Sequence, residues 1–305
     1  MANKKTLLFY RSYHEFRGGH LKVFDYFRHA QSSDTCTPQI YVESTGSQPH
    51  PWTGLQGIVR SYVPERADCL FLAGLDWEML HDHPGIEERI PVINLIQGLR
   101  HADPNDRRFS FLGRKAIRIC VSEQVKDALV ETGQCNGPIH VISNGIDTSQ
   151  MSHTKPASIA NVLISGLKQP KLAVELHTRL LRRGLAVDIS TEPLPRPEYL
   201  AKIADSSIVV TLPNPSEGFF LPALEAMAMG KIVICPNCIG NRSFCLDEVT
   251  CLMPAMQVDE LEASVLRIYR DQDLADKLRE SGKSMSMNYT MAKERHSFHA
   301  ILNTL

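Results

Sequence analysis

The chain has 305 residues, 43% of them hydrophobic and 22% charged, with a formal net charge of −1 at pH 7. That length suits two domains of ordinary size, and the near-neutral balance gives no electrostatic reason to expect a nucleic-acid partner. No apolar run approaches the roughly 20 residues that span a bilayer. The start, MANKK, leads into a strand pattern rather than a signal h-region, so the expected compartment is the cytoplasm.

Residues 6–10 (TLLFY) predict a first strand. Gly18 and Gly19 follow, then Leu21, Val23, Phe24 and Phe27 at helical spacing. A glycine pair between strand and helix lets a ligand approach the backbone, and it reads equally as a plain tight turn. It is not G-x-G-x-x-G, which counts against a dinucleotide site. Residues 39–43, 59–63 and 69–73 predict further strands, and 44–57 a loop. The continuous apolar run 91–96 (PVINLI) predicts a central strand of a parallel sheet. It delivers Gln97 and His101 to the sheet's C-terminal edge, where open α/β folds bind ligands. His101 reads both as a surface loop residue and as a ligand-facing one.

Arg100, Arg107, Arg108, Arg114, Lys115 and Arg118 fall close together, against only Asp103 and Asp106. The plain reading is a solvated face. The sharper one is contact with an anionic acceptor or a peripheral membrane contact through Arg107, Arg108, Arg114 and Lys115. Residues 116–121 predict a strand and Ser122 a helix cap. Residues 140–142 predict a strand ending at an Asn144-Gly145 turn. The polar stretch 151–158 reads as an interdomain linker.

A second series follows: strand 160–164, helix 172–183, strand 186–189, helix 196–204. Strands alternating with helices mean a second parallel sheet. Then comes 207–235, strand, loop, helix and strand in turn, with Glu217 at the helix entrance and Glu225 inside an apolar helix. A carboxylate in that setting needs donors. The nearby helix N-terminus, with free N–H groups and a positive dipole end, suits a phosphate. Together these suggest a sugar-phosphate ligand. The alternative is structural: Glu217 caps the helix and Glu225 pairs with a neighbouring Lys or Arg.

The eight cysteines read as small hydrophobes or loop thiols. Cys235-Pro-Asn-Cys238 has no second C-x-x-C to complete a zinc site, and His81-Asp82-His83 reads as a polar turn before Pro84-Gly85. No metal is expected. Residues 258–277 predict one helix, within which Asp271-Gln272-Asp273 reads as solvated surface. Residues 294–305 predict a terminal helix.

The stretch Glu217-Gly218-Phe219-Phe220-Leu221, with Glu225 eight positions after Glu217 and then Ala226-Met227-Ala228-Met229-Gly230, resembles the E-x7-E segment of retaining, nucleotide-sugar-dependent glycosyltransferases of the GT-B type. The similarity is to the group 1, glycogen-synthase-like and mannosyltransferase-like family. Phe220 stands where that family has a second glycine. Leu167 stands where it has an arginine ahead of a lysine, leaving Lys168 or Lys171 for the diphosphate. Ser190-Thr191-Glu192-Pro193 replaces a glycine-rich turn.

The resemblance implies an α/β fold of two Rossmann-like domains facing a cleft. One would span 1–152, with a helix at about 288–305 returning to it, and the other 153–287. It implies transfer of a sugar from a nucleotide diphosphate sugar to the hydroxyl of a saccharide, lipid-linked or other acceptor. Configuration would be retained, without metal or cofactor. Glu217, with the backbone of Gly218 and Phe219, would hold the sugar, and Glu225 the ribose. Lys168 or Lys171 would stabilise the departing diphosphate. Phe220 and Leu221 would lie at the phosphate end of the helix, Gly18 and Gly19 would face the donor, and His101 would lie near the sugar. The departures at Leu167 and Phe220 leave open a degenerate, non-catalytic nucleotide-sugar-binding subunit that supports a partner.

Overall fold

The computed structural model describes residues 4–14, 18–44, 50–151 and 161–305. The chain forms two compact units, one of Met1–Asn144 with Ala292–Leu305 and one of Gly145–Met291. The division thus falls at 144/145 and 291/292, where the sequence suggests 152/153 and 287/288. The predicted linker lies, apart from Met151, outside the described residues.

The first unit runs β1 (Lys5–Tyr13), α1 (Gly18–Gln31), β2 (Cys36–Ser44), β3 (Cys69–Ala73), β4 (Val92–Ile96), β5 (Ile117–Cys120), α2 (Glu123–Glu131) and β6 (Ile139–Val141). Its strands form one parallel sheet in the order β2-β1-β3-β4-β5-β6. Strands β3 and β4 are buried along their whole length, as expected where helices cover both faces of a parallel sheet. Phe9 pairs in register with Phe71, and their rings stack at 4.4 Å. Ser122 accepts from Val125 N and caps α2. Gly18 and Gly19 open α1 itself instead of forming a loop ahead of it.

The strand predicted at 59–63 does not form. An isolated bridge joins Ile40 to Ile58, and Pro64, which has no N–H for a ladder, opens a 3-10 turn at Pro64–Arg66.

In the basic segment Arg107 and Lys115 are solvent-exposed, as a solvated face requires, and Arg118 is the exception. Arg107 pairs with Glu78, Arg108 with Asp106, Arg114 with Glu87 and Lys115 with Glu88, at 2.7–3.1 Å. Arg114 also lies over the Trp77 ring. Arg118 is fully buried and donates to the carbonyls of Phe111, Leu112, Arg114, Ala116 and Asn136. The local excess of cations is balanced by carboxylates and carbonyls that folding brings in.

The second unit runs β7 (Asn161–Ser165), α3 (Pro170–Arg182), β8 (Ala186–Ser190), α4 (Arg196–Ala204), β9 (Ile208–Thr211), α5 (Leu221–Ala228), β10 (Ile232–Ile234), α6 (Val258–Arg270) and α7 (Gln272–Ser286). Its sheet is parallel in the order β10-β9-β7-β8. The core gathers Val162, Ile164, Val210, Ile232 and Ile234 from the sheet with Leu176, Leu180, Leu261, Val265 and Leu278 from helices. The single helix predicted at 258–277 is two. The Asp271 carboxylate accepts from Leu274 N at 2.9 Å and caps α7, so the acidic run marks a helix start.

Helix α8 (Met291–Leu302) supplies the last part of the first unit. Phe298 packs edge-on against Tyr26 and Phe71. Beside it, Lys22, Asp25 and Glu294 form a buried charge cluster.

Candidate functional site

The C-terminal edge of the second sheet gathers most of the residues singled out in the sequence. Strand β9 ends at Thr211, and a loop carries the chain through Glu217 to α5. Glu217 N donates to Asn214 O and Phe220 N to Gly240 O. Gly240 cannot be replaced cheaply. A Cβ there would lie 2.5–2.7 Å from backbone atoms of Glu217, Gly218 and Phe219. The loop after β10 therefore presses directly on the Glu217 loop and fixes it.

Phe220 is the N-cap of α5 and supplies no side-chain hydrogen bond to the first turn. The first turn holds no acidic side chain either, so no carboxylate of its own first turn offsets its positive dipole end. The φ of Phe220 is −97°, a conformation any residue adopts, and its ring is buried. A phenylalanine in place of glycine costs this loop no backbone strain. Phe219 packs against Phe244 and Tyr289.

Lys168 follows Gly166 at the end of β7, and its Nζ lies 4.0 Å from Glu217 Oε1. A Cβ on Gly166 would meet Ala173 Cβ at 2.2 Å, so glycine lets α3 pack close to the strand. Gln169 Nε2 donates to Pro213 O and Asn214 Oδ1, tying the Lys168 loop to the Glu217 loop. Lys171 sits exposed in the first turn of α3. Leu167, which stands where the resemblance implies an arginine, is 45% exposed.

Glu225 lies one turn into α5 with its side chain 4% exposed. Its Oε1 is 2.7 Å from Arg196 Nη2, so the cation foreseen by the structural alternative exists. Arg196 is the first residue of α4, held between Pro195 and Pro197, and its side chain is 30% exposed. Three residues on, the Tyr199 hydroxyl lies 3.2 Å from Ser165 Oγ at the end of β7. Burial, with the Glu225 charge adding to it, pushes the Tyr199 phenol up.

Two carboxylate–cation pairs therefore flank the α5 N-terminus, Glu217 with Lys168 and Glu225 with Arg196. Sequence reading had three of these four residues and missed Arg196. A signal was present: an arginine opening a helix faces the positive dipole end and needs an anion from elsewhere.

The remaining residues belong to the first unit. His101 lies in the 3-10 helix Leu99–Ala102 after β4 and is 4% exposed, not a surface residue. Burial, reinforced by Arg108, lowers its pKa to about 4, and neither ring nitrogen makes a hydrogen bond of normal geometry. Gln97 Nε2 donates to Gly19 O at 3.2 Å. A network at the end of β1 was not foreseen. Arg11 donates to His20 Nδ1 at 2.8 Å and to both Asp76 oxygens.

The cysteines are free thiols, and Cys135 alone among them is not buried. Cys235 accepts from Asn241 Nδ2. Among the described residues, no group of three or more His, Cys, Asp or Glu is arranged to hold a metal ion.

Residues 160–285 match the model of the family described as glycosyl transferases group 1. The match lies within the second unit and covers the loop, helix and carboxylates described above. The chain is 29% identical over 187 residues to D-inositol 3-phosphate glycosyltransferase of Corynebacterium urealyticum, covering 58% of this chain and 42% of that one. It is 37% identical over 91 residues to the enzyme of the same name from Rhodococcus opacus, covering 28% and 20%. The chain thus spans less than half the length of these curated relatives.

Among solved structures, Anabaena HepE in complex with UDP and glucose superposes with a TM-score of 0.74 at 15% identity, covering 99% of this chain and 100% of that one. Sucrose-phosphate synthase from Thermosynechococcus elongatus gives 0.73 at 14% identity, covering 99% of both. The two Rossmann-like units of this chain are those of the GT-B glycosyltransferase fold.

Proposed function

We propose that the protein is a glycosyltransferase that moves a sugar from a nucleoside diphosphate sugar to an acceptor hydroxyl, with retention of configuration and without a bound metal. The observation that carries this reading is the pair of carboxylates, Glu217 and Glu225, on either side of the uncapped N-terminus of α5. A nucleoside diphosphate sugar has hydroxyls at both ends and two phosphates between them. Carboxylates accept hydrogen bonds from hydroxyls, and a helix N-terminus favours the phosphates. The group 1 match over 160–285 and the UDP and glucose in the HepE complex support the same donor class.

In this reading Glu217 and the backbone N–H groups of Gly218 and Phe219 hold the sugar, and Glu225 holds the ribose. Lys168, with Lys171 able to reach in from α3, neutralises charge on the departing diphosphate, the role a metal would otherwise fill. Gly18, Gly19 and His101 of the first unit serve the sugar and the acceptor. His101 remains a neutral imidazole at pH 7. The bond between the anomeric carbon and the phosphate oxygen breaks, and one to the acceptor oxygen forms. The acceptor proton passes to the departing diphosphate.

The acceptor is a saccharide, a lipid-linked group or another alcohol. If the acceptor is lipid-linked, peripheral membrane contact would run through Arg107, Arg108, Arg114 and Lys115, of which Arg107 and Lys115 are the most exposed. Among the described residues no helix is long and apolar enough to cross a membrane.

The test is incubation with UDP-, GDP-, ADP- and dTDP-sugars without acceptor, followed by NMR of the released sugar. Slow hydrolysis with the anomeric configuration kept, unaffected by EDTA, is the expected result. Binding without hydrolysis or transfer to any acceptor would favour a non-catalytic donor-binding subunit. Inversion, or dependence on a divalent cation, would overturn the mechanism.

A further inference from the structure

We propose that Arg196 is a donor-binding residue that exchanges its contact with Glu225 for the donor's phosphates when the ribose hydroxyls take up that carboxylate. The inference rests on the reading of Glu225 as the ribose acceptor. It goes beyond that reading by supplying a cation that Leu167 does not.

Three observations support the exchange. The first is position. Arg196 Nη2 is 2.7 Å from Glu225 Oε1, and Glu225 is one helical turn, about 6 Å, from the N-terminus of α5. The pair thus holds a guanidinium beside a residue about one helical turn from that terminus.

The second is asymmetry of burial. The Glu225 side chain is 4% exposed and that of Arg196 is 30% exposed. The carboxylate cannot leave the pair for water, whereas the guanidinium can turn outward. The arginine also opens α4, so the dipole of its own helix favours its departure toward an anion.

The third is charge. Leu167, exposed and apolar, adds nothing to a diphosphate, and Lys168 is drawn toward Glu217. Both pairs have the same logic. Each carboxylate that suits a hydroxyl end of the donor holds a cation that suits the phosphates between them. Hydroxyls arriving at the carboxylates release both cations at the moment the phosphates arrive. A guanidinium makes two parallel hydrogen bonds to a phosphate, which a lysine ammonium cannot reproduce.

The test is isothermal titration calorimetry of UDP and GDP, and of uridine and guanosine, into wild type, Arg196→Gln and Arg196→Lys, with melting temperatures taken alongside. With the better-binding diphosphate, Arg196→Gln should lose about tenfold or more in affinity and Arg196→Lys severalfold. Affinity for the matching nucleoside should hold or rise, because arginine no longer competes with ribose for Glu225. Leu167→Arg added to Arg196→Gln should restore part of the diphosphate affinity. If Arg196→Gln does not fold, Arg196→Lys, which can still pair with Glu225, carries the test.

Diphosphate affinity unchanged in both variants, with a lowered melting temperature, would make Arg196 only the structural partner of Glu225. Equal losses for diphosphate and nucleoside would also overturn the phosphate contact. Wild type that binds neither diphosphate would instead remove the donor-site reading itself.

Discussion

Lys22 Nζ and Glu294 Oε2 lie 2.8 Å apart with their side chains almost wholly buried, joining helix α1 to helix α8 across 272 positions of sequence. Asp25 is also 2.8 Å from Lys22 Nζ, and His29 Nε2 lies 3.6 Å from the same Glu294 oxygen. Burial raises the Glu294 carboxyl, but Lys22 and His29 outweigh it and hold the group below its ordinary value. Such a pair contributes less through its own attraction than through what its loss exposes. Glu294→Ala would leave a buried ammonium without one of its carboxylates, and should cost roughly 3–5 kcal/mol. Urea unfolding followed by circular dichroism checks this; a cost under about 0.5 kcal/mol would show that the cluster does not hold α8.

Acid titration of the first unit should show two opposed contributions. Burial raises Asp76 to about 6, against the pull of Arg11. Its folded form binds a proton that the unfolded chain releases, so this stability is full below about pH 4 and lost as pH rises through 6. His101 works the other way. With its pKa lowered to about 4, its folded form refuses a proton that the unfolded chain accepts. Stability from His101 is present above about 6.5 and lost as pH falls toward 4. Urea midpoints at pH 4.5 and 7 should therefore move apart differently in two variants. Asp76→Asn should fall more steeply on acidification than wild type, and His101→Gln less steeply. Parallel pH profiles for all three proteins would contradict both assignments.

Nucleoside diphosphates should raise the melting temperature more than the matching monophosphates. The α5 N-terminus and the cations beside it supply positive charge for a second phosphate, and each tenfold gain in affinity adds about 1.4 kcal/mol to native stability at saturating ligand. Differential scanning fluorimetry with UDP against UMP, and GDP against GMP, measures this. Equal shifts within each pair would count against a diphosphate site.

Glu225→Gln keeps the shape and removes the charge. If ribose hydroxyls donate to this carboxylate, a charged hydrogen bond of about 1.5–3 kcal/mol is weakened and donor affinity falls about tenfold or more. The Arg196 contact weakens too, but that side chain can reach water, so only a modest fall in melting temperature is expected. A destabilised variant with unchanged nucleotide affinity would remove Glu225 from the site.

Most of the fold was legible because it follows from periodicity. Apolar runs such as 69–73 and 92–96 became central strands, and Ser122 became a cap, since both signals are local. The errors share a cause in contacts that no local pattern carries. Arg118 looked like part of a cationic surface, yet a strand position and five carbonyls make it core. Residues 59–63 have strand composition, but Pro64 and the absence of a partner ladder leave one bridge. In the site, the two glutamates stood out as charges at a helix start and in an apolar helix. Arg196 did not, because its meaning depends on α4 meeting α5.

The order of the chain through its two units bears on how the protein is made. The second unit is continuous, from Gly145 to Met291, and holds everything its sheet requires. The first lacks α8 until residues 291–302 are synthesised, although its six strands are translated before the second unit. During synthesis Lys22, Tyr26 and Phe71 must wait, exposed or wrongly covered, for Glu294 and Phe298. The unit whose strands are made first is thus completed after the second, and in the interval its unfinished face is the one open to wrong contacts.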